Sequence, residues 1–269
     1  MAMVEDLLSL STLSACALIW MRVFLPATPD DDWPVGHPLH MRRHEVQVYQ
    51  QRILKPRPDE EAITRDFVLT LDDLPFEKLM PKWMSIDAKF SAARSMILGL
   101  RYVTGGYLES KVVTAVAAAE SMSRELNEPA PVMTRRQLRD LRTTVVEAAP
   151  EQWQPWVRER FANAEPTLKE RLEVLAARPG EFMSLLVPNA SAWATSAANA
   201  RNKLAHAGSS SHTGHELYAV VEITSAVVIM NFLFELGVPA DRMKTALAEH
   251  WRLKAAARLA QELFPADSR

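Results

Sequence analysis

The stretch NASAWATSAANARNKLAHAG, residues 189–208, is an alanine-rich segment that carries a helix-start signal at one end and a helix-stop signal at the other. Pro188, just before it, cannot lie in a helix interior, so a helix begins after this residue. Asn189 or Ser191 can cap the first turn, and Gly208 occupies the position after the last turn. We therefore predict a helix over Ala190–Ala207.

From Pro81 onward the rest of the chain has the same character. Glycine is rare, and apolar residues recur three and four positions apart, which is the period of a helix. We therefore predict an all-α bundle over residues 81–269. The predicted helices are Trp83–Val103, Tyr107–Leu126, Arg135–Ala148, Glu151–Ala164, Pro166–Ala177, Ala190–Ala207, His215–Leu236 and Arg242–Leu263.

Residues 1–80 differ from this helical domain. An apolar run over Leu7–Met21 predicts a buried helix, and the passage 26–60 is rich in proline and predicts irregular structure. Two short pieces, Val46–Leu54 and Phe67–Leu71, are candidate strands by their β-branched and aromatic content. A hydrophobic helix followed by a proline-rich passage predicts the remnant of a larger N-terminal domain, from a shortened reading frame or a divergent N-terminus.

The composition restricts the function classes. The chain has 269 residues, 48% hydrophobic and 24% charged, a net charge of −2 and one cysteine, Cys16, which together predict a soluble cytoplasmic protein without disulfides. The apolar stretch Leu217–Val238 contains Glu222, Asn231 and Glu235, so we predict a core helix instead of a membrane span. The near-neutral charge excludes a global DNA-binding surface, and no phosphate-binding loop or serine-hydrolase elbow occurs.

The hexapeptide at 201–206, RNKLAH, groups the side chains needed to cleave a phosphodiester without a metal. His206 suits the role of acid or base, Arg201 can bind phosphate through two parallel hydrogen bonds, and Asn202 can orient the phosphate, a 2′-hydroxyl or the imidazole. On a helix, Arg201 and His206 differ by roughly 140° in direction. A second copy related by a two-fold axis would bring another arginine and histidine to a shared site.

This hexapeptide resembles the RNxxxH signature of HEPN domains (higher eukaryotes and prokaryotes nucleotide-binding), and the layout of Trp83–Phe264 resembles the ApeA-type branch of that family. The resemblance implies a helical bundle, a homodimer with both motifs at a common cleft, and metal-independent ribonuclease activity in many members. It also implies a bacterial toxin or antiphage role, with an antitoxin or other regulatory protein as a partner. Some relatives are inactive binding modules.

Glu120 is a candidate supporting residue. The run Ala117–Glu120 is similar to an Ala-Leu-Glu stretch in an early HEPN helix, with alanines in place of the leucine. Its carboxylate shares a helical stripe with apolar residues, so it requires a partner. The functional interpretation is that Glu120 orients Arg201; the alternative is an ordinary glutamate at the edge of the core.

Weaker RNA-binding candidates lie beside the motif and on two basic helices. Near the motif they are Lys203, Ser209, Ser210 and His212, for which a flexible surface loop is the alternative. The basic groups are Arg135, Arg136, Arg139 and Arg142, and Arg242, Lys244, Arg252, Lys254 and Arg258. Either group can track a phosphate backbone or form a solvated helix face. Trp153 and Trp156 can stack on bases, but tryptophans at a helix start more often pack as hydrophobic anchors.

His37, His40 and His44 have a spacing that would place three imidazoles on one helical face. Prolines in this segment argue against a helix there, and no carboxylate or cysteine framework accompanies the histidines. We therefore predict no metal site and no cofactor.

The predicted function is a metal-independent endoribonuclease acting on RNA through Arg201, Asn202 and His206. The alternative from another class is a non-catalytic HEPN module that binds RNA, a nucleotide or a protein partner. A third possibility is a helical scaffold in which the hexapeptide is a coincidence.

Overall fold

The structure is a computed structural model, and it describes residues 2–16, 21–29, 32–37, 40–42, 45–48, 66–103, 105–161 and 164–266. The helices in these residues are α1 Ala2–Thr12, α2 Phe76–Lys89, α3 Ser91–Tyr102, α4 Leu108–Leu126, α5 Arg135–Ala148, α6 Gln154–Arg160, α7 Leu168–Ala177, α8 Ala190–Ala207, α9 Gly214–Leu236, α10 Ala240–Glu249 and α11 Trp251–Leu263. The strands are β1 Met21–Phe24, β2 Thr28–Pro29, β3 Met41–Arg42 and β4 Glu45–Val48. The predicted all-α fold class, with a short and partly β N-terminal segment, is confirmed.

Helix α9 forms the centre of the bundle. Sixteen of its 23 residues are buried, and α2, α4 and α11 pack against it. Its first turn is closed by Thr213 and Glu216, each of which accepts a hydrogen bond from the other's backbone N–H, and it ends at Gly237 with φ of +78°. Among the described residues it is the one helix long and apolar enough to cross a membrane, and 83% of its most apolar window is buried in the protein. The predicted core helix is therefore confirmed.

Helix α8 begins and ends where its signals predicted. The side chain of Asn189 accepts a hydrogen bond from the N–H of Ala192 at 2.9 Å, and Gly208 adopts the left-handed conformation with φ of +67°. Its buried face includes Trp193, Ala197 and Leu204. Since small residues dominate this face, α8 packs closely on α4 and α7. The hexapeptide therefore lies on a rigid part of the bundle.

The N-terminal segment differs from its prediction in several details. The helix predicted over Leu7–Met21 ends at Thr12, because Leu13 adopts a left-handed conformation and Met21 begins β1. β1 pairs with β4 in antiparallel register, and β2 pairs with β3. Of the candidate strand over 46–54, residues 46–48 belong to β4 and residues 49–54 lie outside the described residues.

The strand predicted over Phe67–Leu71 was wrong. Instead, the carboxylate of Asp73 accepts hydrogen bonds from the N–H and hydroxyl of Thr70, which form a turn. Val68 hydrogen-bonds the carbonyl of Ser11, and both α1 and this turn join the same hydrophobic cluster as the helices. The division of the chain at residue 80 stays a prediction.

Three predicted helices are interrupted. The helix over Trp83–Val103 is divided at Phe90 into α2 and α3, and α2 begins five residues before Pro81. The helix over Arg242–Leu263 is divided at His250 into α10 and α11. Phe90 and His250 are each 1% exposed, so tertiary packing places the two breaks. The segment over Glu151–Ala164 is a short 3-10 helix, Glu151–Trp153, followed by α6.

His250 caps α11 as a neutral imidazole. Its Nδ1 accepts a hydrogen bond from the N–H of Arg252 at 3.3 Å, which leaves the proton on Nε2, 3.4 Å from the carbonyl of Thr12. Burial lowers the pKa of His250 below its ordinary value of 6.5, the Thr12 carbonyl opposes this shift, and the charge of Arg252 adds to it. Protonation of Nδ1 would remove the helix cap.

The protein is therefore expected to lose stability on acidification below about pH 6.5. Because the folded-state pKa of His250 lies below the unfolded value, the unfolded chain binds the proton first, with a slope of at most about 1.4 kcal/mol per pH unit. His250→Asn keeps a capping side chain without this titration, so its free energy of unfolding should depend less on pH between 7.5 and 5.5 in urea titrations. His206→Asn, at an exposed position, is the control. Equal pH dependence in wild type and His250→Asn would contradict the assignment.

Candidate functional site

The hexapeptide 201–206 forms the last two turns of α8. Arg201 is half-buried, while Asn202 and His206 are exposed. Arg201 Nη1 donates a hydrogen bond to Asn202 Oδ1 at 3.0 Å, so these two side chains lie together. Within the described part of the chain, no hydrogen bond or ion pair joins His206 to Arg201, Asn202 or any other residue. The imidazole is therefore exposed to solvent.

Glu120 on α4 contacts the motif directly. Its Oε2 accepts a hydrogen bond from Arg201 Nη2 at 3.1 Å, between side chains that are 17% and 29% exposed. Burial of this degree protects the ion pair from full solvent screening. Of the two interpretations of Glu120 made from the sequence, the observed geometry is that of a carboxylate paired with Arg201 across two helices.

The carboxylate of Glu120 also binds a second guanidinium. Its Oε1 accepts hydrogen bonds from Arg124 Nη2 at 2.8 Å and Nε at 3.3 Å, one turn further along α4. Sequence reasoning missed Arg124, although Glu120 and Arg124 are four residues apart on a predicted helix, a spacing that favours an ion pair. One carboxylate thus bridges two arginines, and the local charge around the motif is positive.

Arg201 retains hydrogen-bonding capacity for a ligand. A guanidinium has five N–H donors, and Arg201 uses one on Nη1 for Asn202 and one on Nη2 for Glu120. The three remaining N–H donors belong to a guanidinium whose orientation is fixed by these two hydrogen bonds. Such a group is suited to bind a phosphate or another oxyanion.

The loop that follows α8 is tied back to that helix. Lys203 Nζ donates a hydrogen bond to Ser211 Oγ at 2.8 Å. His212 contacts Ser210 Oγ through Nδ1 at 2.8 Å and Ser196 Oγ through Nε2 at 3.1 Å, so both of its ring nitrogens are engaged. Of the weak RNA-binding candidates, only Ser209 is exposed without a side-chain hydrogen bond in the described chain. Sequence reasoning missed Ser196, whose position on α8 gave no sign of this contact.

Of the three histidines with metal-like spacing, the structure describes His37 and His40, and both contact Trp33. His37 stacks on Trp33 with ring centroids 4.4 Å apart, His40 Nδ1 lies 2.8 Å from the carbonyl of Trp33, and His44 lies outside the described residues. No group of three or more His, Cys, Asp or Glu side chains with metal-binding geometry occurs in the part of the chain that the structure describes.

The two basic helices differ in how their charges are used. In the C-terminal group, Arg242 pairs with Asp73 at 2.9 Å, Lys244 with Asp241 at 3.2 Å, and Arg252 stacks on Trp251. These contacts engage three of the five charges of this group, while Lys254 and Arg258 lie exposed on α11. The arginines of α5 lie mostly on the surface.

The expectation that Trp153 and Trp156 pack as hydrophobic anchors was wrong. Trp153 is 55% exposed and Trp156 is 54% exposed. The guanidinium of Arg160 lies over the Trp156 ring, 5.4 Å from its centroid. The α5 and α6 segment contacts little of the bundle, so the two rings have no core to enter.

Comparison with known families agrees with the geometry. The family model described as Apea-like HEPN matches residues 113–242, which run from α4 into α10 and include both Glu120 and the hexapeptide. No curated protein and no solved structure gives a significant match to the chain.

Proposed function

Since residues 113–242 match the family model described as Apea-like HEPN, we propose that the chain is a metal-independent endoribonuclease. The match to this family supports, in general terms, an RNase or a nucleotide-binding function. The observation that supports the ribonuclease proposal is the geometry around Arg201. Glu120 and Asn202 hold its guanidinium and leave three N–H donors free. His206, which has no hydrogen-bond partner among the described residues, follows about one turn later on the same helix.

The proposed reaction uses the 2′-hydroxyl of RNA as the nucleophile. A base takes the proton of this hydroxyl, the 2′-oxygen forms a bond to phosphorus, and the bond from phosphorus to the 5′-oxygen breaks. An acid gives a proton to the leaving 5′-oxygen, so the products end in a 2′,3′-cyclic phosphate and a 5′-hydroxyl. His206 suits the proton transfers, and Arg201 suits stabilisation of the charge on the phosphate oxygens.

We place the active site at the two-fold axis of a homodimer. A mechanism of this kind needs a guanidinium and an imidazole at one phosphate, whereas Arg201 and His206 of one chain are directed roughly 140° apart on α8. The exposed face that carries Asn202 and His206 is available for a second copy. Pairing of the two motifs would then bring Arg201 of each chain to His206 of the other, which gives two such pairs beside the axis.

The biological setting follows as part of the same proposal. A nuclease that cuts RNA without a metal would be toxic in the cytoplasm unless restrained. We therefore propose a toxin or antiphage role, with an antitoxin or another regulatory protein as partner.

The test is cleavage of single-stranded RNA in excess EDTA. We expect the full-length protein to cut RNA, to leave 2′,3′-cyclic phosphate or its hydrolysed 3′-phosphate, and to leave DNA of the same sequence intact because DNA lacks the nucleophile. Binding of RNA without any cleavage would overturn the nuclease assignment and favour the non-catalytic HEPN module.

Glu120 is proposed as a positioning residue for Arg201. Glu120→Gln keeps the shape but removes the charge that holds the guanidinium, so we expect kcat to fall about tenfold, with less change in KM. Glu120→Asp should recover part of the loss. Steady-state kinetics on a fluorogenic RNA measure both parameters.

Glu125→Gln is the matched control, because Glu125 lies exposed on the same helix. Equal kcat in Glu120→Gln and Glu125→Gln would show that the contact with Arg201 has no catalytic role.

A further inference from the structure

Helix α5 and the segments beside it form an open cavity of about 720 Å³, away from the hexapeptide in sequence. It is lined by one side of α5, by the turn that precedes α5, and by Ala164 and Glu165 before α7. α5 packs mainly against α6 and buries only Val146, so most of its surface is not used by the fold.

Three arginines of α5 line this cavity. Arg135, Arg139 and Arg142 are spaced four and three residues apart, which places them on one face over about 10 Å of helix. None of the three makes a side-chain hydrogen bond or ion pair with any residue that the structure describes. Arg136, on another face of the same helix, lies 4.0 Å from Asp140 and does not line the cavity.

The one acid in the lining does not balance this charge. Glu165 Oε2 accepts a hydrogen bond from Arg171 Nη2 at 2.8 Å, and the Arg171 side chain is only 4% exposed. The charge of Glu165 is thus already matched from inside the bundle. A chain whose net charge is −2 therefore concentrates three unpaired guanidiniums on one concave surface.

The cavity also has an apolar wall, which includes Leu138 between the arginines on α5. Pro131, Met133, Leu138 and Ala164 contribute to the lining. Guanidiniums in a row beside apolar side chains fit a flexible strand that carries a phosphate at each repeat and exposes the faces of its bases. An acidic protein segment would match the charge but would not require the apolar wall along the whole row.

We infer that this cavity binds single-stranded RNA, with phosphates on Arg135, Arg139 and Arg142 and bases against the apolar wall. The inference rests on the proposed function, since it identifies where nucleotides outside the cleaved bond bind. It adds a substrate-binding surface on α5 to the site on α8.

The test measures binding apart from cleavage. Fluorescein-labelled 2′-O-methyl oligouridine cannot undergo attack by a 2′-hydroxyl, so fluorescence anisotropy with the full-length protein reports affinity alone. In the Arg135→Ala/Arg139→Ala/Arg142→Ala variant we expect Kd to rise about tenfold or more. The slope of log K against log salt should become less negative by about 2, because each lost phosphate contact contributes about 0.7. Arg136→Ala should bind as wild type does.

The outcomes separate this inference from the nuclease proposal. Weaker binding in the triple variant supports the cavity even if natural RNA is never cut. Cleavage of RNA by wild type, with equal Kd and equal salt slope in wild type, Arg136→Ala and the triple variant, would overturn the cavity and leave the nuclease proposal standing. Circular dichroism of the triple variant should match wild type, since these arginines make no contact on which the fold depends.

Discussion

The His206→Ala variant is expected to cleave RNA about 10²- to 10⁴-fold more slowly than wild type, which is the usual contribution of a positioned acid or base. The substitution removes the imidazole from every copy in an assembly. Because His206 is exposed and makes no hydrogen bond or ion pair with another described residue, the variant should fold with nearly unchanged stability. Single-turnover cleavage of labelled RNA in EDTA, with analysis of the product ends, measures the loss.

His215→Ala is the matched control for this prediction. His215 is also exposed, near the start of α9, and its Nε2 lies 3.3 Å from Glu262 Oε1. It should cleave at the wild-type rate. A His206→Ala protein that retains wild-type cleavage would remove the proposed mechanism.

Heterodimers that combine an Arg201→Ala chain with a His206→Ala chain are expected to recover about half of the wild-type activity, whereas each parent is inactive. If Arg201 of one chain acts with His206 of the other, such a heterodimer keeps one intact pair of the two in wild type. Co-expression with two different affinity tags and purification on both yields the heterodimer, and its cleavage rate in EDTA is compared with both parents.

The decisive control is a heterodimer of wild type with a chain that carries both substitutions. Action in trans leaves this heterodimer without an intact pair, so it should be inactive. If Arg201 and His206 of the same chain act together, the heterodimer of two single variants should be inactive and the heterodimer with wild type should keep about half of the activity. That reversed pattern would reject the shared site.

The helices that could be predicted from the sequence are those with local signals at both ends. α8 and α5 have their predicted bounds, and α9 begins one residue earlier than predicted. Caps, left-handed glycines and prolines act through neighbouring atoms, so they can be recognised in the sequence. The break at Phe90 has no such local signal, and His250, although it caps α11, is not one of the residue types that ordinarily mark a helix start. Both side chains turn into a core built from distant segments.

The candidate site was predictable in composition and in one contact, that of Glu120 with Arg201, but not in its other contacts. The motif and Glu120 could be identified by their residue types, and their proximity depends on how α4 packs against α8. The contact of Arg124 with the motif depends on the same packing. Arg124 and Arg201 bind the two oxygens of the half-buried Glu120 carboxylate, one from each helix. Both ring nitrogens of His212 make contacts because of the path that the loop takes, and residue types do not specify this path.

The burial of α9 has a consequence for synthesis on the ribosome. α9 lies after the hexapeptide in the chain, and it packs against α4, α8 and α11. A nascent chain that has just exposed Arg201 still lacks the central helix on which α4 and α8 assemble. We therefore expect Arg201 to form its stable pair with Glu120 only after α9 has been synthesised, so that the growing chain carries the motif in an unassembled form beside ribosomal RNA.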